Sequence, residues 1–480
     1  MLPTQGSLPL SGYCDLYDIV VPKDHLLRRL NDLCGNFDFI FDELKNKYCQ
    51  DNGRMASDPR MLFKYLMLKV IYNLSDVDVV EHSRYDMSYK YFLGLAPEDS
   101  VIEPSTLCKF RKQRLKDENL LDSLISRSVR IAIDNGLIKS KDIIVDSTHT
   151  YSRSNPQVPV DVLQQRSKEL RRTIYGIDES AKDSMPQKYE GSDLQKEMAY
   201  IDELVEHVSK LPSSAMPAVA EKLNLLKETS EDVRDHYDVS KDGDARTGHK
   251  TKDSSFFGYK THIAINQERI ITAAVVTSGE KDDGSQMQTL IDKSIENGMD
   301  VKTIIGDGAY CSKENLEESQ GKEITVISKV NALVREGHSD DRFTFNKDAG
   351  MYVCPAGHIA IRKYITKDNT IEVYKFDVRK CVVCKMRETC FKYGQEHKSF
   401  SVCHRTEIQK KQMALQETDE FRQKYRTRYK IEAKNSDLKN NYGYGRAESY
   451  GLEAMTLQGA VTMFACNMRR IVRLMDVKKS

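Results

Sequence analysis

Ile143-Ile144-Val145-Asp146-Ser147-Thr148 is a short β-branched run that reaches an aspartate, and Thr303-Ile304-Ile305-Gly306-Asp307 repeats the pattern further along. Runs of this kind fill buried strands. Between them, Phe256–Ile265 and Ile270–Thr277 alternate as a hairpin around the polar Asn266–Arg269, and Gln286–Asn297 has the period of a helix. A third strand is expected over Ile324–Val330. The order strand, hairpin, helix, strand, helix, strand describes an α/β core in which Asp146 and Asp307 each end a strand. Open α/β sheets place their ligand sites at such carboxyl ends. If the two strands are neighbours, two hard oxygen ligands converge, which suits Mg²⁺ or Mn²⁺. Taken singly, either aspartate is as well explained as a turn or helix-capping residue.

Working outward, the sequence divides into six parts. Residues 1–140 are helical in period, 141–151 hold the first aspartate strand, and 152–241 return to charged helical sequence as an inserted arm. Residues 242–332 carry the α/β core, 333–416 are rich in cysteine and turns, and 417–480 are helical again. Within the N-terminal part, Pro59–Tyr65 and Val77–Ser83 flank a break at Asn73–Asp76, the outline of a helix-turn-helix. A further helix opens at Ser105, read as its N-cap, and carries Lys109, Arg111, Lys112 and Arg114. Both units suit DNA, and both also suit an ordinary bundle with solvated basic faces.

Bulk composition excludes more than it selects. The 480 residues carry 73 Lys+Arg against 72 Asp+Glu, a net charge of +1, so any argument for a nucleic-acid partner must be local. No basic flank with an apolar run opens the chain, and Met61–Leu74 is interrupted by Lys64 and Lys69. A leader and a membrane span are therefore not expected, and the cytoplasm is the expected compartment, with nucleoid association if DNA is the partner.

Cations concentrate locally in Tyr425-Arg426-Thr427-Arg428-Tyr429-Lys430-Ile431-Glu432-Ala433-Lys434-Asn435-Ser436-Asp437-Leu438-Lys439. Without Pro or Gly it reads as one helix. At about 100° per residue, Tyr425, Arg428, Glu432 and Lys439 then share a face roughly 60° wide. Glu432 would supply a metal ligand, while Arg428 and Lys439 would hold phosphates. An i,i+4 ion pair accounts for Arg428 and Glu432 alone, but not for the excess of cations around them.

This spacing, Tyr425-x₂-Arg428-x₃-Glu432-x₆-Lys439, resembles the Y-R-E-K signature of bacterial insertion-sequence transposases of the DDE class. Asp146 and Asp307 are similar to that family's two catalytic aspartates. Asp244-Ala245-Arg246 ahead of Phe257-Gly258-Tyr259-Lys260-x-His262 is similar to its central region, and residues 24–121 resemble its attached N-terminal domain. The resemblance implies a ribonuclease H-like α/β catalytic core. It also implies a two-metal reaction with Asp146, Asp307 and Glu432 as ligands and Tyr425, Arg428 and Lys439 on DNA. Water as nucleophile would cut the element's ends, the terminal inverted repeats, and the freed 3′-hydroxyl would join them to target DNA. Two ends cut together call for at least a homodimer. Relatives can stack a tryptophan on a flipped base, and this chain has no Trp; Tyr429 and Tyr442 are the stand-ins considered. Other readings are a DNA-binding regulator with a silent core, a metal-dependent nuclease without strand transfer, and a two-carboxylate glycosidase, which leaves the basic helix unexplained.

Arg246, His249, Lys250 and Lys252 surround Gly248 in an expected loop, and His149 stands near Asp146. Finally, the eleven cysteines cluster unevenly, with Cys354, Cys381, Cys384, Cys390 and Cys403 in the 333–416 insertion. Cys381-x₂-Cys384 has the spacing of a zinc knuckle, so Cys354, Cys381, Cys384 and Cys390 are the expected ligands of a structural Zn²⁺, with His358 or His404 as substitutes. Reduced, partly buried thiols are the plain alternative.

Overall fold

The computed structural model describes residues 11–49, 56–116, 119–235, 240–251, 254–366, 370–390 and 398–479. Its centre is a mixed sheet of six strands: β1 (Asp142–Tyr151), β2 (Arg246–Thr251), β3 (Ser254–Asn266), β4 (Ile271–Ser278), β5 (Thr303–Ile305) and β6 (Thr325–Ile327). The order is β2-β3-β1-β5-β6, with β4 also paired to β3. β3 lies antiparallel to β1 and to β4, while β5 runs parallel to β1 and β6 parallel to β5. β1 does not end at its aspartate. It continues to Tyr151 because Ser147–Tyr151 switches from a continuous apolar run to alternation, with Thr148 and Thr150 buried and their neighbours less so. β5 and β6 are shorter than expected, and the expected loop at Arg246–Lys250 is strand β2; Lys252 lies outside the described residues.

Helices close both ends of the chain onto this sheet. The long helix Leu452–Lys479 packs against β4 and against the helices Leu120–Asp134 and Pro59–Ile71. Its Phe464 ring meets Phe37, Phe39 and Phe63. Its Asn467 side chain pairs with both backbone groups of Ile271 at 2.8 Å and with Ser128 Oγ at 2.9 Å. The N-terminal helices therefore share one continuous core with the sheet.

The two candidate DNA-binding units look different once folded. Helices Pro59–Ile71 and Asp76–Tyr85 are joined through a Ser75 capping box, but Lys64 and Lys69 are buried, and Lys69 pairs with Asp76 at 3.0 Å. The helix Pro104–Gln113 starts one residue before Ser105, with Glu103 as its flanking residue. Its Arg111 is spent on Asp76, and Arg114 donates to the Lys47 carbonyl with its guanidinium 4.4 Å from the Tyr48 ring centre. Lys109 and Lys112 remain exposed.

Two excursions carry their own small cores. Helices Pro159–Ile177, Leu194–Ser209 and Pro217–Arg234 pack around Leu163, Leu170, Ile201, Leu204 and Leu226. The cysteine-bearing excursion holds a three-stranded sheet (Arg362–Ile365, Ile371–Lys375, Ser399–Cys403) and a hairpin (Thr344–Asn346, Met351–Val353) around Phe343, Tyr374, Phe376 and Phe400. The chain rejoins the main unit at Glu407–Gln416, where Gln412 Nε2 donates to the Val326 and Ser328 carbonyls at 2.9 Å each. Among the described residues no helix is long and apolar enough to cross a membrane.

Candidate active site

Strand register brings the two aspartates level. β1 and β5 pair in parallel with Ile144 opposite Ile305, so Asp146 and Asp307 each stand two residues beyond that pair. The preceding Ile143, Ile144, Val145 and Ile305 are fully buried and fix the strands, each side chain contributing about 1.5–3 kcal/mol. Asp307 leaves β5 as the cap of a short 3₁₀ turn, its Oδ1 accepting from Ala309 N at 2.9 Å. Burial pushes the Asp146 carboxyl up to about 6; Asp307 and Asp283 push the same way, while the Ser147 backbone N–H and Arg428 oppose. A carboxylate in this setting is one that a cation would ionise.

The basic segment is not one helix. Asp419–Arg426 and Tyr429–Asn441 are separated by a tightened turn, with Thr427 N donating to Lys424 O at 2.9 Å and Lys430 N to Thr427 O at 3.0 Å. The Thr427 hydroxyl also bonds the Lys424 carbonyl at 2.7 Å, a local competitor that the residue count could not show. The expected common face is therefore broken at Arg428. Even so, Arg428 lies near both aspartates: burial opposes its charge, but Tyr425, Asp146 and Asp307 together raise its pKa. Tyr425 stacks on Phe421 at 5.5 Å and has Lys329 Nζ 4.8 Å from its ring centre.

Helix Tyr429–Asn441 buries Ile431, Lys434 and Leu438 and lays the adjoining face across β1. Asn435 Nδ2 donates to Asp146 Oδ2 at 3.0 Å. Lys439 Nζ lies 3.2 Å from His149 Nδ1. Burial, then Lys439 and Lys250, pull the His149 imidazole down to about 4, so at neutral pH it accepts from the ammonium. Burial and Lys250 bring Lys439 itself to about 8, against the pull of Asp146. Glu432 does not join the aspartates. Its carboxylate is exposed, 3.8 Å from the Arg428 guanidinium, one helical turn before Asn435. Among the described residues no three His, Cys, Asp or Glu side chains stand close enough together to hold a metal ion, and this covers both the Asp146, Asp307, Glu432 set and the cysteines.

Several residues escaped the sequence reading. Asp283 accepts from Ser147 Oγ at 2.9 Å and from Lys260 Nζ at 3.0 Å, with His262 Nδ1 at 3.6 Å, directly beside the Asp146 strand. Asn435 lay within the basic segment, but only the packing of its helix reveals its partner. Asp244 of the central region and its neighbour Asp242 act as ties: Asp242 accepts from Ser152 Oγ at 2.6 Å and from Gly451 N at 3.0 Å, and Asp244 Oδ2 accepts from Leu452 N at 2.7 Å where the last helix begins. Lys250 Nζ lies 2.6 Å from the Tyr151 hydroxyl. Of the two aromatic stand-ins, Tyr442 is buried and cannot take a base, while Tyr429 is 63% exposed.

Cys354, Cys381, Cys384 and Cys390 line one cavity with His358. All four are free thiols, and Met386 N lies 3.4 Å from Cys384 Sγ. Cys403 is buried in the main core instead, and His404 faces Glu372 at 3.6 Å.

Comparison with known proteins gives this arrangement its context. Residues 229–468, half of the chain, match the transposase DDE domain family, and residues 15–113 match a transposase domain family. A Rhizobium meliloti protein described as an uncharacterized protein ORF8 in nfe locus is 28% identical over 145 residues, covering 28% of this chain and 67% of that protein. No solved structure matches. The fold and its acidic, cation-flanked site are thus those of a nucleic-acid-processing enzyme, with DNA as the partner that its family implies. The chain belongs to the insertion-sequence DDE transposase family.

Proposed function

We propose that this protein cuts the terminal inverted repeats of an insertion sequence and joins them to target DNA, using two Mg²⁺ or Mn²⁺ ions held by Asp146, Asp307 and Glu432 on a ribonuclease H-like core. The observation that supports the reading is the β1–β5 register, in which Asp146 on β1 and Asp307 just past β5 each follow the Ile144–Ile305 pair by two residues. The order of three antiparallel strands followed by two parallel ones supports the core assignment. The donor set fits the ion: carboxylate oxygens, one of them half-buried and raised toward neutrality. Bound metal would activate the attacking oxygen and stabilise the leaving one.

The chain's own residues then have definite tasks. Glu432 must leave Arg428 and turn toward β1, which frees the guanidinium for a phosphate beside both aspartates. Lys439 offers a second cation, and Tyr425 holds Arg428 through its hydroxyl at 3.3 Å. Residues 1–140 bind the element's ends, with Lys109 and Lys112 as exposed cations, in a complex of at least two protomers in the cytoplasm, on the nucleoid. The test is Mg²⁺-dependent cleavage and joining of labelled element ends by full-length protein. Cleavage without joining would reveal a nuclease, and end binding without either a regulator.

The shared cavity favours a second proposal, that Cys354, Cys381, Cys384 and Cys390 take a structural Zn²⁺. Coordination would draw the four sulfurs inward and tie together turns that the small aromatic cluster around Tyr374 holds only in part.

A further inference from the structure

In the three-stranded sheet of the cysteine-bearing excursion, strand alternation separates an aromatic face from a cationic one. Tyr374 and Phe376 are buried in the aromatic cluster, so Lys375 between them stands on the opposite face. Its direct cross-strand partners on that face are Arg362 on the outer strand and Ser399 on the other side, both exposed. Tyr364, two residues past Arg362, shares the face. It is 41% exposed, with Lys375 Nζ 5.5 Å from its ring centre. Arginine, lysine and serine thus form a row across the sheet, with an open tyrosine beside it.

Two cations directly opposite each other destabilise an antiparallel pair, because their Cβ atoms are only about 4.5–5.5 Å apart. No acid offsets the cost: among the described residues neither Arg362 nor Lys375 forms an ion pair. Glu372, the one carboxylate of the three strands, is on the aromatic face, with Lys363 at 3.2 Å and His404 at 3.6 Å. Guarding an open edge against pairing would explain a charge at Arg362, but Lys375 is on the middle strand. A polyanion explains both cations. The open ring beside them narrows the choice, since unpaired bases stack on exposed aromatic rings while cations track the phosphates. We propose that this face binds single-stranded DNA, with a base stacked on Tyr364 and the adjoining phosphates on Arg362 and Lys375. The surface uses neither the aspartates nor residues 1–140, so it stands or falls apart from the reading of either.

Full-length protein and its Arg362→Gln/Lys375→Gln, Tyr364→Ala and Tyr364→Phe variants, titrated into labelled oligothymidylate at several salt concentrations and melted without DNA, test the proposal. The double variant is expected to melt at the same temperature or higher, since a like-charged pair is removed, and to bind about tenfold more weakly or worse. Its salt slope should fall by about 1.4, two phosphate contacts at about 0.7 each. Tyr364→Ala should weaken binding about tenfold and Tyr364→Phe should retain it, because stacking needs the ring and not the hydroxyl. Unchanged affinity and salt slope in the double variant would overturn the proposal. A lowered melting temperature there would make the cations structural and overturn it too. Equal losses on a duplex of the same length, with no effect of Tyr364→Ala, would overturn the assignment to a single strand.

Discussion

Asp146 stands on β1 and Asp307 just past the end of β5, two strands whose paired isoleucines are buried, so their separation is set largely by sheet register whether or not a ligand is present. Cys354, Cys381, Cys384 and Cys390 stand on turns and short helices around a small aromatic cluster, and the outer strand Arg362–Ile365 is exposed along its whole length. The first site is organised by the hydrophobic core. The second has four reactive groups gathered by little else, and a small unit of that kind gains most from a cross-linking ion. A chemical group can therefore be placed by apolar packing at no cost in metal, or can require the metal to complete its own scaffold.

The sharpest break in that comparison is substitution at the sheet. Asp146→Asn, Asp307→Asn or Glu432→Gln should each lower Mg²⁺-dependent end cleavage about a thousandfold or more, with the protein still folded, because none is a core side chain. Cleavage near the unaltered rate in any one of them removes that residue from the site. At the cysteines the expected pattern reverses. Cys381→Ser/Cys384→Ser should take zinc content from about one per chain to none and expose the 337–405 segment to protease, while the central sheet stays resistant. A metal-free protein with an equally resistant insertion would leave the thiols as plain reduced cysteines.

A smaller effect concerns pH. Asp146 has a folded pKa raised from 3.8 to about 6, so its contribution to stability is fully present below its unfolded value and is lost as pH rises through about 6. Metal-free protein should lose melting temperature across that window, Asp146→Asn should flatten this part of the curve, and Mg²⁺ should offset the loss by favouring the ionised carboxylate. A curve identical in Asp146→Asn would show that another group titrates there.

The smallest effects separate cations that hold the fold from cations that are free to meet DNA. Arg111→Ala breaks the Asp76 pair and should cost about 1–3 kcal/mol of stability in denaturant melts. Lys109→Ala and Lys112→Ala should leave stability unchanged and weaken end binding a few-fold each, with a shallower salt dependence. Equal effects on stability would mean that the whole basic helix is structural.

Composition and pattern were enough to locate the strand carrying Asp146, the strand that leads to Asp307, the hairpin between them and the cysteine cluster, because β-branched runs and close cysteine spacing are local signals. They also exposed the cation-rich segment around Glu432. What the chain could not disclose locally was partnership. Arg111 and Arg114 look like part of a DNA-facing set with Lys109 and Lys112 until packing turns them onto Asp76 and Tyr48. The break at Thr427 depends on a hydroxyl choosing a carbonyl, and Asn435 matters only because its helix crosses β1 at Asp146. Sequence determined which residues carry charge, thiol and β-propensity, since these belong to single side chains and short periods. Tertiary structure alone decided which charges are spent and which two carboxylates stand level, because those follow from contacts between segments far apart in the chain.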